Sequence, residues 1–419
     1  MKRHDKMIKR LIGASALAAG LCGTPALAEE LRFTVWTGSE AHLSMLNGIA
    51  ASYTEKNPDV TVRFETIPFA DYVQKITLQL AGGNPPDLGW LLESSAPTFV
   101  DAAVLADVSE TLKSTEGYDF DDLSQGAMGL WQDGDAVYGV PFSTSPFIVY
   151  YNASLYDAAG LEHPDALAAK GEWTWERLKQ DAAALADAEA GVWGFQSVDG
   201  QGYGGRAVHT LIPMVRSHGG DAWADGTCGW ASDEAVEAVS LYHDMIFKDH
   251  SAVPPGEQGD FFTGNAALTV TQLSRVSKLK DAAFDWGIAP LPSGPAGEAS
   301  VIGQAAIVAF AQGKQTDLAA DFMAHMTSAE NVAIMAEFFP PARNSVLEGE
   351  AFLTSNAAVS PEQMKIVANG IANGAVAPGH VAYPQIESAM RPKFDALWKP
   401  DADVKAVLED VCAAIEPLL

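Results

Sequence analysis

The chain has 419 residues, with 54 Asp and Glu against 26 Lys and Arg and a formal net charge of −28. That length suits two domains of ordinary size, each able to bury its own core. The acidic excess argues against nucleic acid or an anionic membrane as a partner and fits a protein that stays dispersed in solution.

Residues 1–28 read as an export signal and fall outside fold reasoning. MKRHDKMIKR is a basic leader, LIGASALAAGL a short apolar core, and Ala26, Leu27 and Ala28 a small-x-small cleavage site before Glu29. The apolar core is too short to span a bilayer. Cys22 follows Leu21, whereas lipid attachment needs a small residue before the cysteine. Cleavage after Ala28 predicts a freely soluble protein of the periplasm with 21 basic and 53 acidic side chains. Two cysteines then remain, Cys228 and Cys412. An oxidising compartment allows a disulfide between them, and two buried thiols are the alternative.

The mature N-terminus alternates strands and helices. LRFTVW (31–36) is a strand ending at the turn and helix cap Thr37, Gly38 and Ser39. Leu43, Leu46, Ile49, Ala50 and Tyr53 then recur at helical spacing over 40–56. VTVRFETIP is a strand stopped by Pro68, residues 71–80 form a helix closed by Gly82 and Gly83, and DLGWLL (87–92) is strand again. This order predicts an α/β fold with a parallel sheet covered by helices. After VYGVPFSTSPFIVYYN helices dominate, in WTWERLKQDAAALADA, RAVHTLIPMVRS and SDEAVEAVSLYHDMIFK. ALTVTQL (267–273), FDWGIAPLP (284–292) and GQAAIVAF return to strand, with a Pro- and Gly-rich link near 290–297.

Signals for catalysis or metal are thin. The histidines are scattered, and His243 and His250, seven apart, lack a third ligand. No G-x-S-x-G elbow occurs, and Ser277 with Lys280 matches S-x-x-K without a companion motif. The segment GQGYGG (200–205) fits the dinucleotide spacing G-x-G-x-x-G, with Asp221 and Asp225 about twenty residues on. It is not in the first strand–helix unit, and those acids lie in the glycine-rich turn SHGGDAWADGTCG. No cofactor is expected. As a loop at a helix N-terminus, GQGYGG remains suited to a polar ligand group. The aromatics Trp36, Trp90, Tyr150, Tyr151, Tyr203 and Tyr383 fall at strand ends or in loops among polar residues. Such a set suggests a cleft that stacks on sugar rings and hydrogen-bonds hydroxyls.

The order of motifs resembles the extracellular solute-binding proteins of ABC importers, in the maltose-binding-protein-like group known as family 1. The matching stretches are LRFTVW…ASYTEKNPDVTVRFE, LQLAGGNPPDLGWL, VYGVPFSTSPFIVYYNASLYDAAGL, GEWTWERL, FFTGNAALTV and FDWGIAPLPSGP…DFMAHMTSAENVAIMAEFFPPARNSV. The resemblance implies a two-lobed periplasmic-binding-protein fold of type II-like arrangement, with a cleft between lobes joined by hinge crossings. Crossings are expected near 143–146 and 290–292. The first lobe would comprise 29–143 plus 291–328, and the second 146–288 plus 329–419. Ligand would be enclosed by hinge closure and delivered to permease subunits by a monomer, with no bond made or broken. An exported carbohydrate-active enzyme on an α/β scaffold is the alternative.

Carried over position by position, the resemblance places Trp36, Ser39, Glu40, Glu93, Ser94 and Ser145 at the cleft from the first lobe. Tyr203, Gly204, Arg275, Gly303 with Gln304, Arg343 and Tyr383 complete the set. Maltose binders carry acids where this chain has Ser94 and Ser145, and an aromatic near Ser274 and Arg275, so a maltose-type specificity is not implied. Arg275 would suit an anionic ligand group or a salt bridge. For Arg343 a structural role is the stronger expectation.

Overall fold

The computed structural model describes residues 29–197, 206–257 and 259–419. In chain order the strands of its two larger sheets are β1 (Glu29–Val35), β2 (Val60–Thr66), β3 (Leu88–Leu92), β4 (Val140–Pro146), β5 (Ile148–Asn152), β6 (Trp193–Gln196), β7 (Ala266–Thr271), β8 (Trp286–Ala289), β9 (Val301–Ala309) and β10 (Ala375–Val376). Helices around them include α1 (Glu40–Lys56), α2 (Tyr72–Ala81), α3 (Ala96–Asp101), α4 (Trp175–Leu185), α5 (Asp233–Phe247), α6 (Thr316–Met326), α7 (Ala329–Met335), α8 (Pro361–Asn373), α9 (Tyr383–Phe394) and α10 (Val404–Ile415).

The first sheet is parallel only in part. β1 lies between β2 and β3 and runs parallel to both. β9 is antiparallel to β3 and to β4, and β10 adds a short parallel pairing to β9. All nine residues of β9 are buried, which is why VIGQAAIVA is apolar almost throughout rather than alternating. The second sheet has the order β8-β5-β7-β6, with β5 antiparallel to β8 and β7, and β6 parallel to β7. Caps match the chemistry at the helix starts: Ser39 on α1, Thr174 on α4, and a Ser360–Gln363 capping box on α8.

The chain leaves the first sheet at Pro146 and enters the second at Ile148, and it returns between Ala289 and Val301. The two passages lie side by side, since the Phe147 amide donates to Val301 O at 2.9 Å. The second core gathers Val149, Tyr156, Trp175, Trp230, Tyr242 and Leu268, and only α9 and α10 of the C-terminal helices join it, through Ile386, Met390, Leu408 and Val411. Here the packing differs from the expected boundary. Residues 329–347 sit on the first lobe, because Phe338 and Phe339 pack against His42, and the Arg343 guanidinium is held by Tyr118, Asp119 and Thr327. Helix α8 lies across the crossings, where the Ser300 hydroxyl donates to Gly370 O at 2.9 Å. The buried side chains Val332, Met335, Phe338 and Phe339 join 329–347 to the first core, and no turn signal in the sequence marks that choice.

Cys228, in a short hairpin beside Trp223, is bonded to Cys412 of α10 across 184 residues of sequence. The disulfide alternative therefore holds over free thiols.

Candidate functional site

The loops that follow β1 and β3, the ends of β4 and β9, and the segments after β7 and before α9 converge at the seam between lobes. After β1, Trp36 is half-buried, and its ring lies edge-on to Phe69, Tyr72 and Trp90 at 5.8, 5.1 and 5.0 Å. Trp90 in turn stacks on Phe142 at 4.6 Å and meets Phe339 edge-on. Trp36 and Phe69 are thus the partly open rings of a cluster whose other members are buried, the geometry in which rings keep an apolar face available. Thr37 Oγ1 lies 2.9 Å from His42 Nδ1. Ser39 spends its hydroxyl on capping α1, accepting from the His42 amide at 3.5 Å, and Glu40 is exposed in the first turn.

After β3, Glu93 is 2 % exposed. Its backbone amide donates to Gln304 O, and its Oε2 accepts from the Gln304 amide at 2.9 Å, which fixes the carboxylate at the end of β9. The Gln304 side chain points elsewhere, accepting from Trp131 Nε1 and donating to Ala127 O. Ser94 is buried and hydrogen-bonds Tyr383, the first residue of α9. Burial pushes the Tyr383 phenol up, the carboxylates of Glu387 and Glu93 push it further, and Ser94 opposes them. The Tyr383 ring lies 6.2 Å from Trp223, whose buried Nε1 has no hydrogen-bond partner among the described residues.

At the crossings, Ser145 faces Gly303 across the antiparallel pair. The Ser145 Oγ is buried and has no partner among the described residues. Gln272, one residue beyond β7, reaches over both strands: its Nε2 donates to Ser145 O at 3.1 Å and to Gly303 O at 3.3 Å. A Cβ on Gly303 would stand 2.2 Å from that nitrogen, so this approach requires glycine. Next along the chain, Ser274 and Arg275 face His42 from the second lobe. Desolvation lowers the His42 imidazole to about 4; the Ser274 backbone opposes this and the Arg275 charge adds to it.

Of the residues expected at the cleft, Trp36, Glu93, Ser94, Ser145, Gly303, Arg275 and Tyr383 gather around this seam. Tyr203 and Gly204 lie outside the described residues. Arg343 does not belong to the site. It is 1 % exposed, donates to Thr327 O, Asp119 O, Tyr118 O and Asp122 Oδ2, and lies over the Tyr118 ring at 4.5 Å, so four of its five donors are committed within the fold. Trp90, Tyr150 and Tyr151 are buried packing residues rather than cleft walls. Asp221 pairs with Arg216 at 3.0 Å, and Asp225 occupies the turn of the Cys228 hairpin with a positive φ. His243 is held by Lys399 O, and among the described residues no group of His, Cys, Asp or Glu is arranged to hold a metal ion. His42, Gln272 and Phe339 were missed, because nothing in their local sequence distinguishes them from a helix residue, a strand end and a packing aromatic.

The family model of the bacterial extracellular solute-binding proteins matches residues 48–362. A Brucella abortus binding protein is 27 % identical over 320 residues, covering 70 % of each chain. The lactose-binding protein of Rhizobium radiobacter is 23 % identical over 305 residues, covering 69 % of this chain and 68 % of that one. Among solved structures, the ABC substrate-binding protein of Listeria monocytogenes in complex with cycloalternan superposes with a TM-score of 0.82 at 22 % identity, over 93 % of this chain and 98 % of that one. The fold is therefore the two-lobed one of periplasmic binding proteins. The chain belongs to the family of bacterial extracellular solute-binding proteins.

Proposed function

We propose that the protein is the capture component of an ABC importer, closing its lobes on a sugar, oligosaccharide or sugar derivative and delivering it to membrane permease subunits. The observation that carries this reading is the meeting of an aromatic ring, buried hydroxyls and a fixed carboxylate from both lobes: Trp36, Ser145, Ser94, Glu93 and Tyr383. A sugar offers apolar ring faces to the first and hydroxyls to the rest. The lactose-binding relative supports the same ligand class. Because ligand touches both lobes at once, binding favours the closed form. The protein acts as a monomer, is exported to the periplasm with cleavage after Ala28, and releases its ligand chemically unchanged.

A thermal-shift screen against sugars, glycosides, polyols and sugar acids tests this. Ligand at about 100-fold over Kd adds roughly 2.7 kcal/mol to stability. Stabilisation with the ligand recovered intact supports capture, and conversion of the ligand refutes it. Trp36→Ala should abolish the shift; an unchanged response would remove the seam as the site.

A further inference from the structure

We propose that the cleft takes a short ligand, a monosaccharide, a polyol of that length or at most a disaccharide, and excludes longer oligosaccharides. This rests on the capture of carbohydrate at the seam and narrows it to a size class.

The lobes touch on both flanks of the candidate site. On one flank, Thr98 of α3 donates its hydroxyl to Val381 O at 2.8 Å, joining residues 283 apart in sequence. Beside it, Gly379 lies so close to Pro97 and Glu93 O that a Cβ there would come within 3.3 and 3.4 Å of them. The hydrogen bond between Ser94 and Tyr383 continues the same closure inward. On the other flank, His42 on α1 of the first lobe, 6 % exposed and wedged on Phe338 and Phe339, meets the Ser274 backbone and Arg275 of the second. The rear is shut by Gln272 across Ser145 and Gly303. Glu93, Ser94, Ser145 and Tyr383, which lie between these contacts, are each less than 8 % exposed.

An extended oligosaccharide leaves a binding cleft through an open end. Here a chain running along the seam would have to part the contact between Thr98 and Val381 or the one between His42 and Ser274. Parting the first loses a hydrogen bond between the lobes, parting the second exposes the buried His42, and in either case the longer ligand would forfeit the closure that gives affinity. A ligand that stays between the flanks leaves both contacts made. The unpartnered Oγ of Ser145 and Nε1 of Trp223 are buried polar atoms of the kind a small polyhydroxylated ligand would satisfy.

The experiment is isothermal titration of the mature protein with a size series: monosaccharides and alditols, disaccharides, then tri- and tetrasaccharides of the same units. Binding of a member of the first two groups, with trisaccharides weaker by about tenfold or more, is the expected result; about tenfold corresponds to one lost contact of 1.4 kcal/mol. A trisaccharide or longer sugar binding as tightly as the best short ligand overturns the size limit and leaves carbohydrate capture intact. Absence of binding across the whole series overturns carbohydrate capture itself, and the size limit with it. Thr98→Ala supplies a second readout. It should weaken the short ligand about two- to tenfold, as loss of one closing hydrogen bond does, and narrow its advantage over the trisaccharide. An unchanged preference in this variant would also overturn the flank as the limiting wall.

Discussion

Replacing Arg343 by alanine separates a structural arginine from a ligand-binding one. The guanidinium donates four hydrogen bonds, three to the carbonyls of Thr327, Asp119 and Tyr118 and one to Asp122, and is 1 % exposed. Alanine leaves three buried carbonyls unsatisfied, strands the Asp122 carboxylate, and removes the ring contact with Tyr118. Breaking a buried charged network in this way costs about 3–5 kcal/mol, and most of that is the penalty on the groups left behind. Arg343→Lys keeps a charge but offers a single nitrogen where the native side chain reaches three separate carbonyls, so about half of the loss should remain. Urea unfolding at pH 7, followed by intrinsic fluorescence with m-values compared, measures both variants. A loss below about 1 kcal/mol for Arg343→Ala would refute the reasoning. So would unchanged stability with abolished ligand binding, which would return Arg343 to the cleft.

Reducing the Cys228–Cys412 bond, or replacing both cysteines by serine, should lower stability by roughly 2–5 kcal/mol, since it frees a closed loop spanning 184 residues; an unchanged melting temperature under strong reductant with thiols confirmed free would contradict this. His42 gives a pH dependence of known sign. Its imidazole falls from 6.5 to about 4 on burial, so its contribution is fully present above pH 6.5 and is lost as pH falls toward 4. The full loss is about 3 kcal/mol, and the stability of His42→Asn should fall less steeply over that interval than that of the native protein. A parallel pH profile for the two would exclude the residue. Gly303→Ala drives a methyl into the Gln272 amide, whose two hydrogen bonds to the crossings should be lost at about 1–3 kcal/mol while the sheet survives. Small-angle scattering of that variant should report a more open particle, and an unchanged profile would count against a clasping role for Gln272.

The elements that local chemistry specifies strongly were readable. Ser39 caps α1 where the turn signal placed it, and the largely apolar GQAAIVAF declared a strand. The order of motifs put Trp36, Glu93 and Ser145 near strand ends, and the structure has Trp36 just after β1, Glu93 just after β3 and Ser145 near the end of β4. What stayed hidden depends on contacts between distant segments. Arg343 lies in the same motif whether its guanidinium faces a ligand or three carbonyls, and only the position of residues 118–122 decides it. The aromatic residues Tyr150 and Tyr151 sit at a strand end in sequence, yet the pairing of β5 with strands on both sides buries them. His42 falls on a regular helix face, and its role at the seam comes from Ser274 and Arg275, more than two hundred residues away.

Strand β9 has a consequence for how the molecule is made. It occupies the middle of the first sheet, with Leu88 of β3 opposite Ala309, yet about 220 residues separate those partners. All four strands of the second sheet are synthesised in the interval. The inner pairings of the first sheet therefore cannot all form until the chain has emerged past residue 309, and closing so long a loop is entropically slow. During export the N-terminal half must wait with β3 and β4 unpaired along their inner edges, a window in which a chaperone or a second chain could compete for them. Pairing along both of those edges awaits the arrival of one strand.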